Sequence, residues 1–243
     1  MVHLLTAAET ELPEKFWNLV DWLSVTYFSE NIAVVGTLNI VGALLCMLIP
    51  YLLGSINPAI LLSRRFWGGD LRERGEDAGC GGVRRLYGMR AAVIVAILDV
   101  IKASAAVWFG LLLWETNGGA VAGFFVLLGH MFPLFHRFKG GRGLACLAAV
   151  VFTIDLITFL ILVFIFAVCA IGTRMVSFGT MTAALMYPLI LNAFENRGLN
   201  VAMAVITALF VLYMHRDSIK RIGEGKEPKI ELRRKKKEKE EDA

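Results

Sequence analysis

Near the middle of the chain, Phe138-Lys139-Gly140-Gly141-Arg142-Gly143 sets three glycines among two cations. Glycine lets a backbone approach a ligand closely and aim N–H groups at it, and the cations add charge. An apolar run opens at Leu144, so the positive end of a helix would fall on the same spot. That combination suits a phosphate. The plainer reading is a basic turn at a membrane edge, but KGGRG is denser in glycine and charge than such a turn needs. His130, eight residues before Phe138, and His215, which opens His215-Arg216-Asp217-Ser218, each stand where an apolar stretch ends. A histidine in such a place is more often structural than catalytic. Asp99 and Lys102 lie three apart inside another apolar stretch, on one helical face. They form either a self-neutralising pair or a buried cation held ready for an anion. Arg72 and Arg74, in GGDLRERG, add cations at the same level.

The elements that must position these groups are membrane spans. Of 243 residues, 57% are hydrophobic and 19% charged, with a mean hydropathy of +0.63. A soluble domain is nearer 45–50% apolar and about 25% charged. The apolar residues here also come in blocks close to the roughly 20 needed to cross a bilayer. Spans are expected at about 32–53, 91–114, 120–135, 175–194 and 200–214, with one unbroken apolar run at 144–172. Four cysteines (Cys46, Cys80, Cys146, Cys169) are far apart and form no C-x-x-C pair, which argues against a disulfide framework or a thiolate metal site. No nucleotide-binding P-loop and no signal-peptide pattern is present, and nucleic acid is a poor partner for such a chain.

Charge orients the spans. Of the 25 Lys and Arg residues, seven lie in 64–90, three in 137–142 and eleven from Arg216 onward, so all three segments are expected in the cytoplasm. The run 144–172 must then begin and end on the same side. Its 29 residues make about 43 Å of helix, too long for one crossing and too short for two. Thr153-Ile154-Asp155 offers a polar turn inside it, giving two short helices or a hairpin dipping into the bilayer. The expected fold is all-α: a polytopic integral membrane helical bundle of about seven transmembrane segments, N-terminus outside and C-terminus cytoplasmic. Residues 1–30 form an extension with an amphipathic stretch (Phe16, Leu19, Val20, Leu23), 31–214 the membrane domain, and 215–243 a charged cytoplasmic tail.

From about Pro50 onward the residues resemble the bacterial acyl-phosphate:glycerol-3-phosphate acyltransferases, the PlsY family. The resemblance rests on Gly54-Ser55-Ile56 with Asp70-Leu71-Arg72, on Asp99 and Lys102 as D-x-x-K, and on Gly129 to Gly143 as GHxFPxFxxFKGGKG with Arg142 for the second lysine. It also rests on Arg174 with Ser177 and on His215 to Arg221. It implies seven membrane helices and a cytoplasmic site in the bacterial cell membrane. The reaction implied is transfer of a fatty acyl group from acyl phosphate to the sn-1 hydroxyl of glycerol 3-phosphate, giving lysophosphatidic acid for phospholipid synthesis. No cofactor and no metal is implied; the partners are membrane lipid and the two substrates. By position, Arg72, Lys102 and His215 would bind substrate or stabilise charge. Lys139, Gly140, Gly141, Arg142 and Gly143 would form the phosphate loop, shaped by His130, with Ser55, Ser177 and Ser218 completing the substrate contacts.

The chain departs from the family pattern in two places. Where the family has G-S-G-N-x-G-A-T-N, this chain reads Gly75-Glu76-Asp77-Ala78-Gly79-Cys80-Gly81-Gly82, one residue shorter and with two carboxylates. Unless Arg74, Arg84 or Arg85 neutralises them, Glu76 and Asp77 would repel a phosphorylated ligand. Ser218 stands in place of an asparagine. The alternative to an active enzyme is therefore a catalytically silent relative that binds lipid or a phospho-ligand.

Overall fold

The computed structural model describes residues 32–194 and 198–229, with 19, 20 and 23. The N-terminal amphipathic stretch and the end of the charged tail lie mostly outside the described residues. Among those described, every regular element is helical. The chain divides into two compact units, 1–154 and 155–243, and each is taken by itself.

In the first unit, α1 (Ile32–Ser55) is uncharged throughout. Asn57 then starts α2 (Pro58–Phe66): its side chain accepts from the Ile60 N–H, and Pro58 fits a first helical position where no N–H is needed. A 3-10 turn, Leu71–Arg74, follows and closes at Gly75, whose φ of 76° is left-handed. Next comes α3 (Cys80–Met131), 52 residues, about 78 Å if straight and so more than twice the hydrocarbon core. It is not straight. The backbone leaves helical geometry at Trp114 and Glu115, and Glu115 has a φ of 49°. Across this break Gly110 and Gly118 meet backbone to backbone, since a Cβ on Gly118 would lie 2.1 Å from the Gly110 carbonyl. Two legs therefore fold back on each other where the hydropathy pattern separates the spans 91–114 and 120–135. A similar approach joins α1 to the second leg: a Cβ on Gly54 would lie 2.2 Å from the Val126 carbonyl, and one on Gly129 2.2 Å from that of Tyr51. The unit ends with α4 (Leu144–Ile154).

The second unit opens at Asp155, whose carboxylate accepts from the N–H groups of Ile157 and Thr158 and so starts α5 (Leu156–Thr173). The 144–172 run is thus divided at Asp155, with α4 ending at Ile154 and α5 beginning at Leu156. Then come α6 (Val176–Phe194), α7 (Gly198–Met214) and α8 (Arg216–Gly223), the last bent 57° from α7 at His215. Among the described residues, four helical stretches are long and apolar enough to cross a membrane, and α7 with α8 makes a fifth if taken as one bent span. Large apolar side chains such as Ile40, Leu48, Leu160 and Phe164 face outward. That is the surface a bilayer covers.

Candidate functional site

The first unit gathers its polar residues around the loop 137–143. Asp70 begins the 3-10 turn by accepting from the Arg72 N–H at 3.0 Å, and the same carboxylate receives the guanidinium of Arg72 (2.6 Å) and that of Arg64 (2.8 Å). Hydrogen bonding from Arg72, joined by Arg64, holds the Asp70 carboxyl well below the usual carboxylate range despite its partial burial. Arg72 is thereby aimed at the loop, where its Nη1 donates to the carbonyls of His136 and Lys139, the latter at 3.1 Å. Ser55, buried at the end of α1, donates to the Tyr51 carbonyl and accepts from the Leu134 N–H at 3.2 Å, tying α1 to the turn before the loop.

Asp99 and Lys102 meet as an ion pair at 2.9 Å, a contact common to both readings of their spacing, and the structure adds partners that the spacing alone did not reveal. The Lys102 ammonium also reaches the carbonyls of Ile56 (2.9 Å) and Gly54 (3.3 Å) and the His130 Nδ1 (3.0 Å). Those carbonyls lie at and just beyond the end of α1, where no intrahelical donor remains, so one cation joins that end to both legs of α3. The same Nδ1 stands 3.3 Å from the Asp99 carboxylate, so the ring lies against both members of the pair. Nε2 lies directly beneath the loop, because a Cβ on Gly141 would stand 2.6 Å from it. Asp99, His130 and Cys146 also bring three metal-ligating atoms within 4.8 Å. The Lys102 ammonium already lies against the first two, and it is the cation that these groups fit.

The loop differs from expectation in one respect. Its glycine N–H groups at 140 and 141 do not face outward: they donate back to the carbonyls of Met131 (3.1 Å) and His130 (3.3 Å). The physical reason is proximity. The loop lies so close on the end of α3 that a Cβ on Gly140 would stand 2.0 Å from the His130 carbonyl. These glycines therefore serve close packing, and the donors suited to an anion are the N–H groups of the first turn of α4. Gly143, with a φ of 75°, accepts from the Leu147 N–H and so starts that turn without a capping side chain.

Both carboxylates of the altered loop have basic partners. Arg85 grips Glu76 through its Nε, at 2.9 Å and 2.7 Å, and its Nη2. Asp77 receives the Nε of Arg142, the loop's own cation, at 2.8 Å. Arg74 instead stacks over the Tyr87 ring. Asn57 was not singled out from the sequence, although Asn-Pro before a helix is a start signal. Fully buried, it caps α2 and donates to the Ala78 carbonyl at 3.0 Å, fixing the altered loop.

In the second unit, Ser218 and Ser177 stand with their hydroxyls 3.4 Å apart. Arg221 donates to Ser218 (2.9 Å) and to Glu227 (2.7 Å). Burial pushes the Glu227 carboxyl up, but hydrogen bonds from Ser177, Arg221 and Ser218 outweigh it and leave the group below its ordinary value. His215, at the bend, places Nδ1 2.9 Å from the Val211 carbonyl. A carbonyl only accepts, so Nδ1 carries the proton, and Nε2 of the neutral ring is an acceptor.

A family model described as glycerol-3-phosphate acyltransferase matches residues 44–225. A glycerol-3-phosphate acyltransferase of Carboxydothermus hydrogenoformans is 34% identical over 192 residues, covering 79% of this chain and 98% of that relative. Glycerol-3-phosphate acyltransferase 2 of Bacillus anthracis is 31% identical over 188 residues, covering 77% and 98%. The fold is similar to the crystal structure of PlsY (YgiH), an integral membrane glycerol 3-phosphate acyltransferase, in its glycerol 3-phosphate form. The TM-score is 0.72 and the identity 29%, with 77% of this chain and 95% of the other covered. The lysophosphatidic acid form gives a TM-score of 0.71 at 27% identity, covering 77% and 94%. Similarity of this extent, reaching from the uncharged first helix to the segment after His215, makes the chain a member of the glycerol-3-phosphate acyltransferase family, multi-pass membrane enzymes of phospholipid synthesis.

Proposed function

We propose that the acyl donor is acyl phosphate, that the acceptor is the sn-1 hydroxyl of glycerol 3-phosphate, and that the enzyme works at the cytoplasmic face of a bacterial plasma membrane. The hydroxyl oxygen attacks the acyl carbonyl carbon, the bond from that carbon to the phosphate oxygen breaks, and the hydroxyl proton ends on the released phosphate. An acyl phosphate carries its own good leaving group. The protein's task is then to position the two substrates and to set cations where negative charge grows, which requires no metal.

The observation that carries this reading is the construction of the loop 137–143. It is braced from behind by Lys102 and His130 and from the side by Arg72, and it ends at Gly143, which has no side chain to cap the helix that follows, with Lys139 and Arg142 beside it. Lys139, Arg142, Gly143 and the first turn of α4 bind a phosphate group. Gly140 and Gly141 allow the packing, Arg72 holds the loop and adds charge, and Lys102 acts from behind as a positioning cation. Ser55 fixes the approach to the loop. His215, Ser177 and Ser218 bind substrate in the second unit. Seven helical segments, with the N-terminus outside and the C-terminus in the cytoplasm, are the topology that the charge distribution supports. Pairing of Glu76 with Arg85 and of Asp77 with Arg142 favours an active enzyme over a silent relative, because neither carboxylate is left to repel a ligand.

The test is phosphate release from palmitoyl phosphate by purified protein in lipid, with and without glycerol 3-phosphate. Release that depends on glycerol 3-phosphate, with lysophosphatidic acid identified by mass spectrometry, is expected. Lys139→Ala is expected to abolish it. Release without that dependence would overturn the acceptor, and no release from folded protein would overturn the donor.

A further inference from the structure

We infer that Asp77 is a specificity-determining counter-ion of the phosphate loop: it holds Arg142 until a phosphate arrives, and Arg85 receives the carboxylate when Arg142 moves to the ligand. The inference rests on the reading of 139–143 as a phosphate site. Three observations in the first unit carry it.

The backbone that carries the carboxylate is held in place. Asn57 holds the neighbouring Ala78 carbonyl, and Gly82 lies so close that a Cβ there would stand 2.1 Å from the Asp77 carbonyl. The altered loop also lies directly on the glycines of the phosphate loop, since a Cβ on Gly141 would be 2.7 Å from the Ala78 carbonyl. Asp77 therefore stands beside the phosphate loop by construction.

Its partner is a cation of that loop. Arg142 Nε lies 2.8 Å from Asp77 Oδ2, with side-chain exposures of 34% and 41%. A pair this open to water is weak enough to exchange. With Asp77 in place, one of the two positive charges offered by Lys139 and Arg142 is cancelled. An incoming anion has to outcompete a carboxylate for Arg142, which a dianionic phosphate does better than a singly charged group.

A receiver for the carboxylate is already in position. Arg85 Nη2 lies 4.0 Å from the same Oδ2 while its guanidinium grips Glu76. When Arg142 turns to the phosphate, Asp77 settles on Arg85 and no carboxylate is left facing the ligand unpaired. Arg85 thus bridges both carboxylates of the altered loop, and the loop forms a charge-exchange device.

The experiment is steady-state acyl transfer by the full-length protein and by Asp77→Asn, Arg142→Gln, the double variant, and Lys139→Ala. Asp77→Asn is expected to lower the apparent KM for one of the two phosphorylated substrates by about two- to five-fold at low salt, the range of an exchangeable surface pair. The gain should shrink at about 0.5 M salt, where charges are screened within a few ångströms. Inorganic phosphate should inhibit Asp77→Asn more tightly by the same factor, and a misfolded variant cannot gain affinity. In the Arg142→Gln background, Asp77→Asn should change nothing. Unchanged or raised KM values in Asp77→Asn overturn the inference, as does a gain that persists without Arg142. Lys139→Ala separates the two levels. If it leaves both KM values and turnover intact, the phosphate-site reading itself fails; if it impairs them while Asp77→Asn has no effect, only the role of Asp77 fails.

Discussion

Arg72 illustrates how much of this site is backbone recognition by a rigid fork. Its guanidinium meets Asp70 and also reaches two carbonyls at the loop 137–143, those of His136 and Lys139. Lysine also has three donors, but all on one nitrogen, and it lacks the planar fork that sends Nε and Nη2 to Asp70 and Nη1 to the two carbonyls. Arg72→Lys is therefore expected to lower kcat/KM by about ten- to a hundred-fold through a displaced loop, read by the phosphate-release assay. Turnover equal to wild type would show that the loop holds its place without the fork. Gly140→Ala tests the same packing from the other side. The added carbon would stand 2.0 Å from the His130 carbonyl, so the loop has to lift off the end of α3. Its expected signature is a raised KM for a phosphorylated substrate.

At the scale of elements, stability is concentrated where small residues bring backbones together. Gly118→Ala would force the legs of α3 apart at Gly110, and a loss of about 1–3 kcal/mol is expected, measured as a lower unfolding temperature in detergent. The segment after α8 is pinned by Glu227, whose carboxyl lies below its ordinary value. A depressed carboxyl stabilises fully above its unfolded value of about 4.3 and loses that contribution as pH falls through the folded one. Glu227→Gln should thus cost about 1–2 kcal/mol at neutral pH, moderated because Arg221 is 35% exposed. The gap from wild type should narrow as pH falls below the unfolded value of about 4.3 and close once it passes the folded one; a gap that does not narrow in acid would mean that the charge is not what matters. These elements also show what a sequence displays and what it hides. Hydropathy marks the α3 break and Asp155 marks the start of α5, because both are local. The carbonyls of Gly54 and Ile56 that hold Lys102 cannot be read from spacing, since helix-end acceptors are offered by every residue type. Nor can the inward turn of the N–H groups at 140 and 141, which depends on how closely the loop packs. The Asp77–Arg142 pair joins residues 65 apart in the chain, and no local pattern announces it.

For the whole molecule, the proposed orientation rests on the basic segments. A single cysteine introduced at Glu73 or at Glu224, in an otherwise cysteine-free chain, should resist a membrane-impermeant thiol reagent in intact cells and react once the membrane is opened. A cysteine at Thr6 should react in intact cells. The opposite pattern would invert the topology. The folding back of α3 bears on how the chain enters the bilayer. Asp99 and Lys102 ride on its first leg, while His130, whose ring meets both, rides on the second. A leg released alone into lipid would carry an ion pair missing one of its partners, at a cost that hydrocarbon does not forgive. With the turn at Trp114–Glu115 only two residues long, the second leg follows almost at once. The two halves should therefore leave the insertion machinery together, as one hairpin, so that the groups bracing the loop 137–143 are assembled during synthesis rather than after it.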